Sequence, residues 1–133
     1  MLIQRFYAKI DDGNSLVEFG EIVLHENTLE VPINGEFLNP IVIMGVPSYN
    51  FKAPITVKVH SVSSYSFKAQ LEKYLYSEEI HTMEKMNYMV VEEGSWTLND
   101  GTRFQAGRAF VDGNYENIHF EGMFFDEEPI VFT

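Results

Sequence analysis

The chain has 133 residues, 45% of them hydrophobic and 14% aromatic, which is enough for one domain with a substantial core. Its 20 acidic residues outnumber 9 basic ones and leave a formal net charge of -11, which argues against nucleic acids and anionic membranes as partners. Because there is no cysteine, thiol nucleophiles, zinc thiolate sites and disulfides are excluded. No apolar run approaches the ~20 residues of a membrane span, and the N-terminus lacks a signal-peptide pattern. We therefore expect no membrane insertion.

Strand patterns recur along the chain at a spacing that is typical of a β-sandwich. Residues 40–46 form a continuous apolar run, which predicts a buried strand, and residues 55–62 alternate between apolar and polar side chains. The alternation continues over residues 66–74, and residues 86–92 form a second buried run. The turn residues at 99–101 predict a hairpin of two short strands. Together these patterns predict an all-β fold, an antiparallel β-sandwich of six or more strands.

Residues 70–85 are the one stretch that also fits a helix, because Leu71, Tyr74 and Leu75 have helical spacing. The alternation before this stretch and the polar Ser77-Glu78-Glu79 within it favour a strand followed by a loop. We expect the strand and loop, and the helix is the alternative.

The region around residue 20 recurs near the C-terminus with a constant offset. The corresponding pairs include Gly20 and Gly107, Asn27 and Asn114, and Phe37 and Phe124. After a short insertion, Pro40-Ile41-Val42 recurs as Pro129-Ile130-Val131. Such a recurrence predicts the start of a second repeat, although any two strand–turn–strand segments share some pattern. We expect residues 1–106 to form the sandwich with an N-terminal extension strand. Residues 107–133 would then complete that sandwich or dock on a neighbouring subunit.

Three blocks of residues resemble the H-type lectin domain and its bacterial and viral relatives. Residues 37–44 are similar to the family's pattern of a phenylalanine, a short gap, a proline and then an apolar strand. Residues 59–69 are similar to its hairpin pattern, with Ser66 in place of the usual turn glycine. Residues 81–94 are similar to the block H-x-x-E-x-V-x-Y-hydrophobic-E-x-G, with Met86 in place of the valine. This block occurs in lectin-like repeats of bacterial surface proteins and in head-spike proteins of phages and gene transfer agents.

The resemblance implies a six-stranded antiparallel sandwich that binds sugars and assembles into trimers or multiples of three. It also implies a place on a virion or an extracellular surface. In the resembling lectins an aspartate closes the apolar strand and contacts a galactose-type hydroxyl, and Asn50 occupies the matching place here. The arginine that those lectins use next falls near Pro54, so specificity for N-acetylgalactosamine is not carried over. The alternative is that residues 47–50 form an ordinary polar turn.

His81 and Glu84 have the H-x-x-E spacing that places two side chains on one face of a helix, as in metal sites. Two ligands from one segment do not complete such a site. On a strand or a loop the two residues would instead form a hydrogen-bonded pair that pins the loop before the strand of Tyr88. A contact with a bound ligand is the alternative for both.

Aromatic side chains near the predicted loop ends suit sugar binding, because a ring stacks on the apolar face of a pyranose while amides and carboxylates bind its hydroxyls. Core positions explain Phe37, Phe67, Tyr88 and Phe104 better. The predicted carbohydrate-binding residues are Tyr49, Asn50, Tyr76, His81, Glu84 and Trp96.

Enzyme motifs such as G-x-S-x-G and a glycine-rich phosphate loop do not occur. The acidic doublets, among them Glu78-Glu79 and Glu92-Glu93, could imitate a glycosidase pair, but we interpret them as solvated charge. We therefore predict a non-enzymatic, carbohydrate-binding adhesion module without catalytic residues, metal ligands or cofactors; a bound divalent cation stays open. Its partners would be a glycan or cell-surface polysaccharide and further copies of itself. The alternative is a structural virion protein of a head, tail or fibre that assembles through its terminal strands, with other virion proteins as partners.

Overall fold

A computed structural model describes residues 2–9 as backbone and residues 15–73, 82–115, 117–120 and 125–131 in full. The chain divides into two compact units, Met1–Glu92 and Glu93–Thr133. The strands of the first unit are β1 (Leu2–Lys9), β2 (Ser15–Leu24), β3 (Leu29–Pro32), β4 (Pro40–Met44), β5 (Ile55–His60), β6 (Ser66–Lys73) and β7 (Glu84–Glu92). Those of the second unit are β8 (Gly94–Thr97) and β9 (Arg103–Ala106).

The first unit consists of two antiparallel sheets. One has the strand order β1-β2-β7-β4 and the other the order β3-β6-β5. Buried side chains from both sheets form one hydrophobic cluster, so the two sheets pack against each other as a sandwich. The predicted all-β antiparallel fold is confirmed for the described residues.

The core follows from alternation along the strands, because every second residue of β2, β6 and β7 faces the opposite sheet. Its buried members are Ile22, Leu24, Val31, Ile33, Phe37, Phe67, Ala69, Leu71, Met86, Tyr88 and Val90. The rings of Phe67 and Tyr88 meet edge to face across the sandwich, with centroids 5.2 Å apart. Phe37, Phe67 and Tyr88 therefore confirm their predicted core positions, whereas Phe104 is only half-buried.

Gly20 allows the Tyr88 ring to lie across β2. The two residues are directly opposite in the β2–β7 register. A Cβ atom at position 20 would lie 2.3 Å from the Tyr88 ring, closer than any side chain tolerates. The absence of a side chain is thus a packing requirement at this position.

The strand predictions differ from the structure mainly at sheet edges. Residues 40–46 were expected to form a buried strand, but β4 is an edge strand and only Pro40 in it is fully buried. The reason is that an edge strand has a neighbour on one side only. Leu71 lies in β6 and not in a helix, and residues 74–81 lie outside the described residues.

The second unit begins with the predicted hairpin. β8 and β9 are antiparallel, and the turn between them is closed by the Leu98 N–H donating to the Thr102 carbonyl at 2.8 Å. Gly101 has a φ of 85°, which a glycine adopts without strain. The compact units divide after Glu92, and the expected organisation into residues 1–106 and 107–133 stays a prediction. Strands were also expected within residues 107–133, but the described part of that range contains none.

Candidate functional site

The inward face of β7 has a glutamate at each end. Glu84 and Glu92 are 0% and 4% exposed, and the residues that alternate between them are buried as well. A buried carboxylate is costly unless it accepts hydrogen bonds. At the rise of a β-strand the two glutamates lie about 27 Å apart, so they mark opposite ends of the sandwich.

Glu84 holds the loop that joins β4 to β5. Its Oε2 atom accepts hydrogen bonds from the Ser48 hydroxyl at 2.6 Å and the Asn50 N–H at 3.0 Å. Its Oε1 atom accepts a hydrogen bond from the Phe51 N–H at 2.5 Å, and the Tyr49 N–H also bonds to the carboxylate. Four consecutive residues thus converge on one buried side chain, and we call this arrangement the Glu84 clamp.

Two polar side chains extend the Glu84 clamp. The Ser48 hydroxyl accepts hydrogen bonds from the Lys85 N–H at 3.0 Å and from the Asn50 Nδ2 atom at 3.1 Å. The same Asn50 Nδ2 atom donates to the Met83 carbonyl at 2.9 Å. The amide nitrogen of Asn50 therefore joins the 47–51 loop to the residue before β7, although Asn50 as a whole is exposed.

The charge state of Glu84 follows from two opposing influences. Burial is the largest and raises the pKa, because it disfavours the ionised carboxylate. The hydrogen bonds from Ser48, Phe51, Asn50 and Tyr49 lower the pKa, and together they outweigh burial. The pKa of Glu84 consequently lies below its ordinary value of 4.5, and the clamp is ionised at neutral pH.

Two further glutamates hold the β3–β4 loop at the opposite end of the sandwich. Glu92 accepts hydrogen bonds from the N–H groups of residues 38–39 at 2.8 and 2.7 Å. Glu18, which is 0% exposed on β2, accepts hydrogen bonds from the N–H groups of residues 34–35, both at 3.0 Å. The Tyr88 hydroxyl donates to the other oxygen of Glu18 at 3.2 Å. Buried carboxylates thus bind main-chain N–H groups at both ends of the first unit.

The Glu84 clamp presents Tyr49 to solvent in an unusual backbone conformation. Tyr49 has a φ of 59° and is 69% exposed. A left-handed backbone costs an L-residue about 1–2 kcal/mol, so it persists only where the surroundings impose it. Here the N–H groups of residues 49–51 all bind one carboxylate. The result is an exposed aromatic ring on a rigidly held loop.

The structure brings together three of the six predicted binding residues, Tyr49, Asn50 and Glu84. Tyr76 and His81 lie outside the described residues. Glu84 does hold a loop, but the expected hydrogen-bonded pair with His81 lies outside the described residues and stays a prediction. The loop is the one after β4, and not the one before β7 as expected.

Trp96 belongs to the second unit. It is half-buried on β8 and lies opposite Phe104 on β9. Its indole also lies close to Gly94, where an added Cβ would be 3.2 Å from the ring. The Trp96 ring therefore packs within its own hairpin.

Sequence reasoning missed the roles of Glu18, Glu92 and Ser48. The interpretation of Glu92 as solvated charge is wrong, because its position on the inward face of β7 buries it and the 38–39 N–H groups compensate its charge. The sequence did contain a signal for this. Every second residue of β7 lies on its inward face, and the two glutamates fall on that face together with the core residues between them, namely Glu84, Met86, Tyr88, Val90 and Glu92. Within the 81–94 block, the buried residues between Glu84 and Glu92 therefore either pack in the core or hold loops.

No metal centre or membrane helix emerges from the part of the chain that the structure describes. Among these residues, no group of three or more His, Asp or Glu side chains is placed to hold a metal ion. They also include no helix with the length and apolar character that a membrane crossing needs.

The chain is similar to a part of one much longer protein. The chain is 27% identical to Halomucin of Haloquadratum walsbyi over 146 aligned positions, which cover 95% of this chain. The chain spans about 2% of the length of Halomucin. No family model matches the chain, and no solved structure matches it significantly.

Proposed function

We propose that this protein is a non-enzymatic recognition module with an H-type lectin-like sandwich, displayed on a virion or cell surface, that binds carbohydrate through the loop of residues 47–51. The observation that carries the proposal is the exposed ring of Tyr49, which the buried Glu84 holds in a left-handed backbone conformation. A rigid tyrosine loses little conformational entropy on binding and offers a flat apolar face to a pyranose ring.

The buried glutamates support a binding role over a catalytic one. A general acid or base needs a carboxylate that can exchange a proton with a substrate. Glu18, Glu84 and Glu92 instead accept hydrogen bonds from main-chain N–H groups, and the clamp at Glu84 is ionised. Their chemistry is that of loop positioning.

The test is a glycan array and a polysaccharide pull-down with the intact protein in its native oligomeric state. Weak single sites gain from multivalency, so the assembled protein must be used. Tyr49→Ala should abolish binding. The matched control is Tyr65→Ala, because Tyr65 is also exposed, at 78%, but lies on the β5–β6 loop beside Ile33 at the other end of the sandwich. No binding by the wild type, or equal loss in both variants, contradicts the proposal.

A second candidate function is structural assembly of a particle through the C-terminal part of the chain. The supporting observation is a concentration of large apolar side chains that are exposed in the second unit. They are Phe110 at 90%, Val111 at 64%, Tyr115 at 107%, Ile118 at 54%, Phe120 at 40%, Ile130 at 84% and Val131 at 61%. Exposed apolar surface of this extent is typical of a protein–protein contact. Removing residues 129–133 should lower the mass measured by light scattering, and an unchanged mass contradicts this role.

A further inference from the structure

The β4 strand is an edge of the four-stranded sheet without any charged side chain. It pairs with β7 on one side and has the last place in the order β1-β2-β7-β4. Both edges of the three-stranded sheet carry charges that oppose pairing with another chain, namely Lys58 on β5 and Glu30 on β3. The β4 sequence is Pro-Ile-Val-Ile-Met, with no such protection.

The open edge of β4 has a defined set of main-chain groups. Gly45 donates its N–H to the Asn87 carbonyl at 2.8 Å, just beyond the end of the strand. Because hydrogen-bonding direction alternates along an antiparallel strand, residues 41 and 43 face β7 in the same way. The N–H and C=O groups of Val42 and Met44 therefore point to the open edge, where a further strand would bind them.

A segment of the second unit has the composition of such a strand. Pro129, Ile130 and Val131 repeat the Pro-Ile-Val that begins β4, and they carry β-branched residues suited to a sheet. They lie outside any strand, and Ile130 and Val131 are 84% and 61% exposed. An apolar, strand-forming segment is thus exposed to water in the same chain that has an uncharged sheet edge.

We propose that residues 129–131 of one copy add as a strand to the open edge of β4 in a second copy. The contact deepens the assembly role and rests on it, and it does not depend on sugar binding. A second copy is the occupant, because every copy carries both the exposed segment and the uncharged edge, and the pairing brings together two segments without charged side chains. The net charge of -11 on each chain opposes association only at longer range, where salt screens it. Donor and acceptor are different surfaces, so the contact is heterologous and extends into rings or chains.

The test is sedimentation velocity of the full chain over a concentration series up to about 500 µM, since so small a contact belongs to the weak class. Ile130→Lys removes the donor, and Ile43→Lys places on β4 the charge that protects natural edges. The matched controls are Leu98→Lys, in the second unit but outside the exposed apolar residues of its C-terminal part, and Val46→Lys, just beyond β4. Every variant adds one positive charge, and circular dichroism checks that each is folded.

We expect the mass of the wild type and both controls to rise with concentration, and that of Ile130→Lys and Ile43→Lys to stay at the monomer. An equimolar mixture of these two variants should form dimers and nothing larger, because only one donor and one acceptor remain. A peptide of residues 126–133 should also bind Ile130→Lys, whose β4 edge is intact; this measurement decides the matter if Ile43→Lys does not fold.

A monomeric wild type at every concentration overturns both this contact and the assembly role. Assembly that survives in Ile130→Lys overturns the contact alone and assigns assembly to another surface. A mixture of the two folded variants that stays monomeric, or a peptide that does not bind, also overturns it. Glycan binding by Ile130→Lys is measured separately, so the recognition proposal stands or falls on its own.

Discussion

Glu84→Gln tests whether a buried carboxylate organises the 47–51 loop. The substitution keeps the shape of the side chain and replaces one acceptor oxygen with an NH₂ group, which is a donor. That NH₂ faces the Phe51 N–H if it replaces Oε1, or the Ser48 hydroxyl and the Asn50 N–H if it replaces Oε2. In either orientation at least one main-chain donor loses its acceptor in a part-buried position.

The expected cost can be worked from these contacts. A hydrogen bond to a charged group contributes about 1.5–3 kcal/mol, and a buried donor without an acceptor costs a similar amount. Some of the loss is recovered at the oxygen that remains, so we expect destabilisation by about 3 kcal/mol. For a chain of this size that lowers Tm by roughly 12 °C.

The assay is urea and thermal unfolding followed by far-UV circular dichroism. The single tryptophan, Trp96, lies in the second unit, so tryptophan fluorescence would report on the wrong part of the chain. Glu26→Gln is the matched control, because Glu26 is exposed between β2 and β3 and its substitution should cost no more than about 0.5 kcal/mol. A Glu84→Gln variant as stable as Glu26→Gln would refute the reasoning.

The same variant has a pH signature. The pKa of Glu84 is lowered on folding, so its ionised form stabilises the fold at pH values above the ordinary 4.5. This contribution is lost as the pH falls below 4.5 and through the pKa of the folded state. The difference in stability between wild type and Glu84→Gln should therefore be constant near pH 7 and shrink on acidification below 4.5. A difference that grows on acidification would contradict the ionised clamp.

Three further outcomes follow from the structure. Gly20→Ala should destabilise the protein by about 2 kcal/mol because its Cβ would lie 2.3 Å from the Tyr88 ring, whereas Gly107→Ala, with no atom within 4 Å, should be neutral in urea unfolding. Tyr49→Gly should gain about 1 kcal/mol by releasing the left-handed backbone and still lose glycan binding, while Tyr65→Gly, whose backbone lies outside that region, should lose stability. Chelation with EDTA should leave Tm unchanged within about 1 °C, since only a ligand of the folded state can raise it; a clear drop would reveal a bound cation.

Strand positions were predictable because alternation and turn residues are local. Residues 55–62 and 66–74 correspond to β5 and β6 with a shift of two residues or fewer at each end. Residues 86–92 were expected to be a buried run, whereas Asn87 in β7 is exposed and only Val90 to Glu92 are buried without interruption. The division into compact units after Glu92 is not a local property, because it depends on which segments pack together.

The candidate site was predicted only in part. Tyr49 and Asn50 were chosen as loop-end residues that could meet a sugar, and the structure places them in one loop held by Glu84. That Glu84 binds four residues some 35 positions earlier in the chain is a long-range contact, which no local pattern contains. The same holds for Glu92, whose place in an acidic doublet had suggested that it is exposed to solvent.

By itself the sequence determined that this protein is all-β, because the alternation of apolar and polar side chains along a strand is a local pattern of neighbouring residues. It also determined which residues could face a core. Only the tertiary structure decided what the buried glutamates do, because a carboxylate becomes a clamp when folding removes water from it and leaves main-chain N–H groups as its partners. It likewise decided that β4 is an edge, since the order of strands in a sheet is set by which hydrophobic faces pack together and not by the strands themselves.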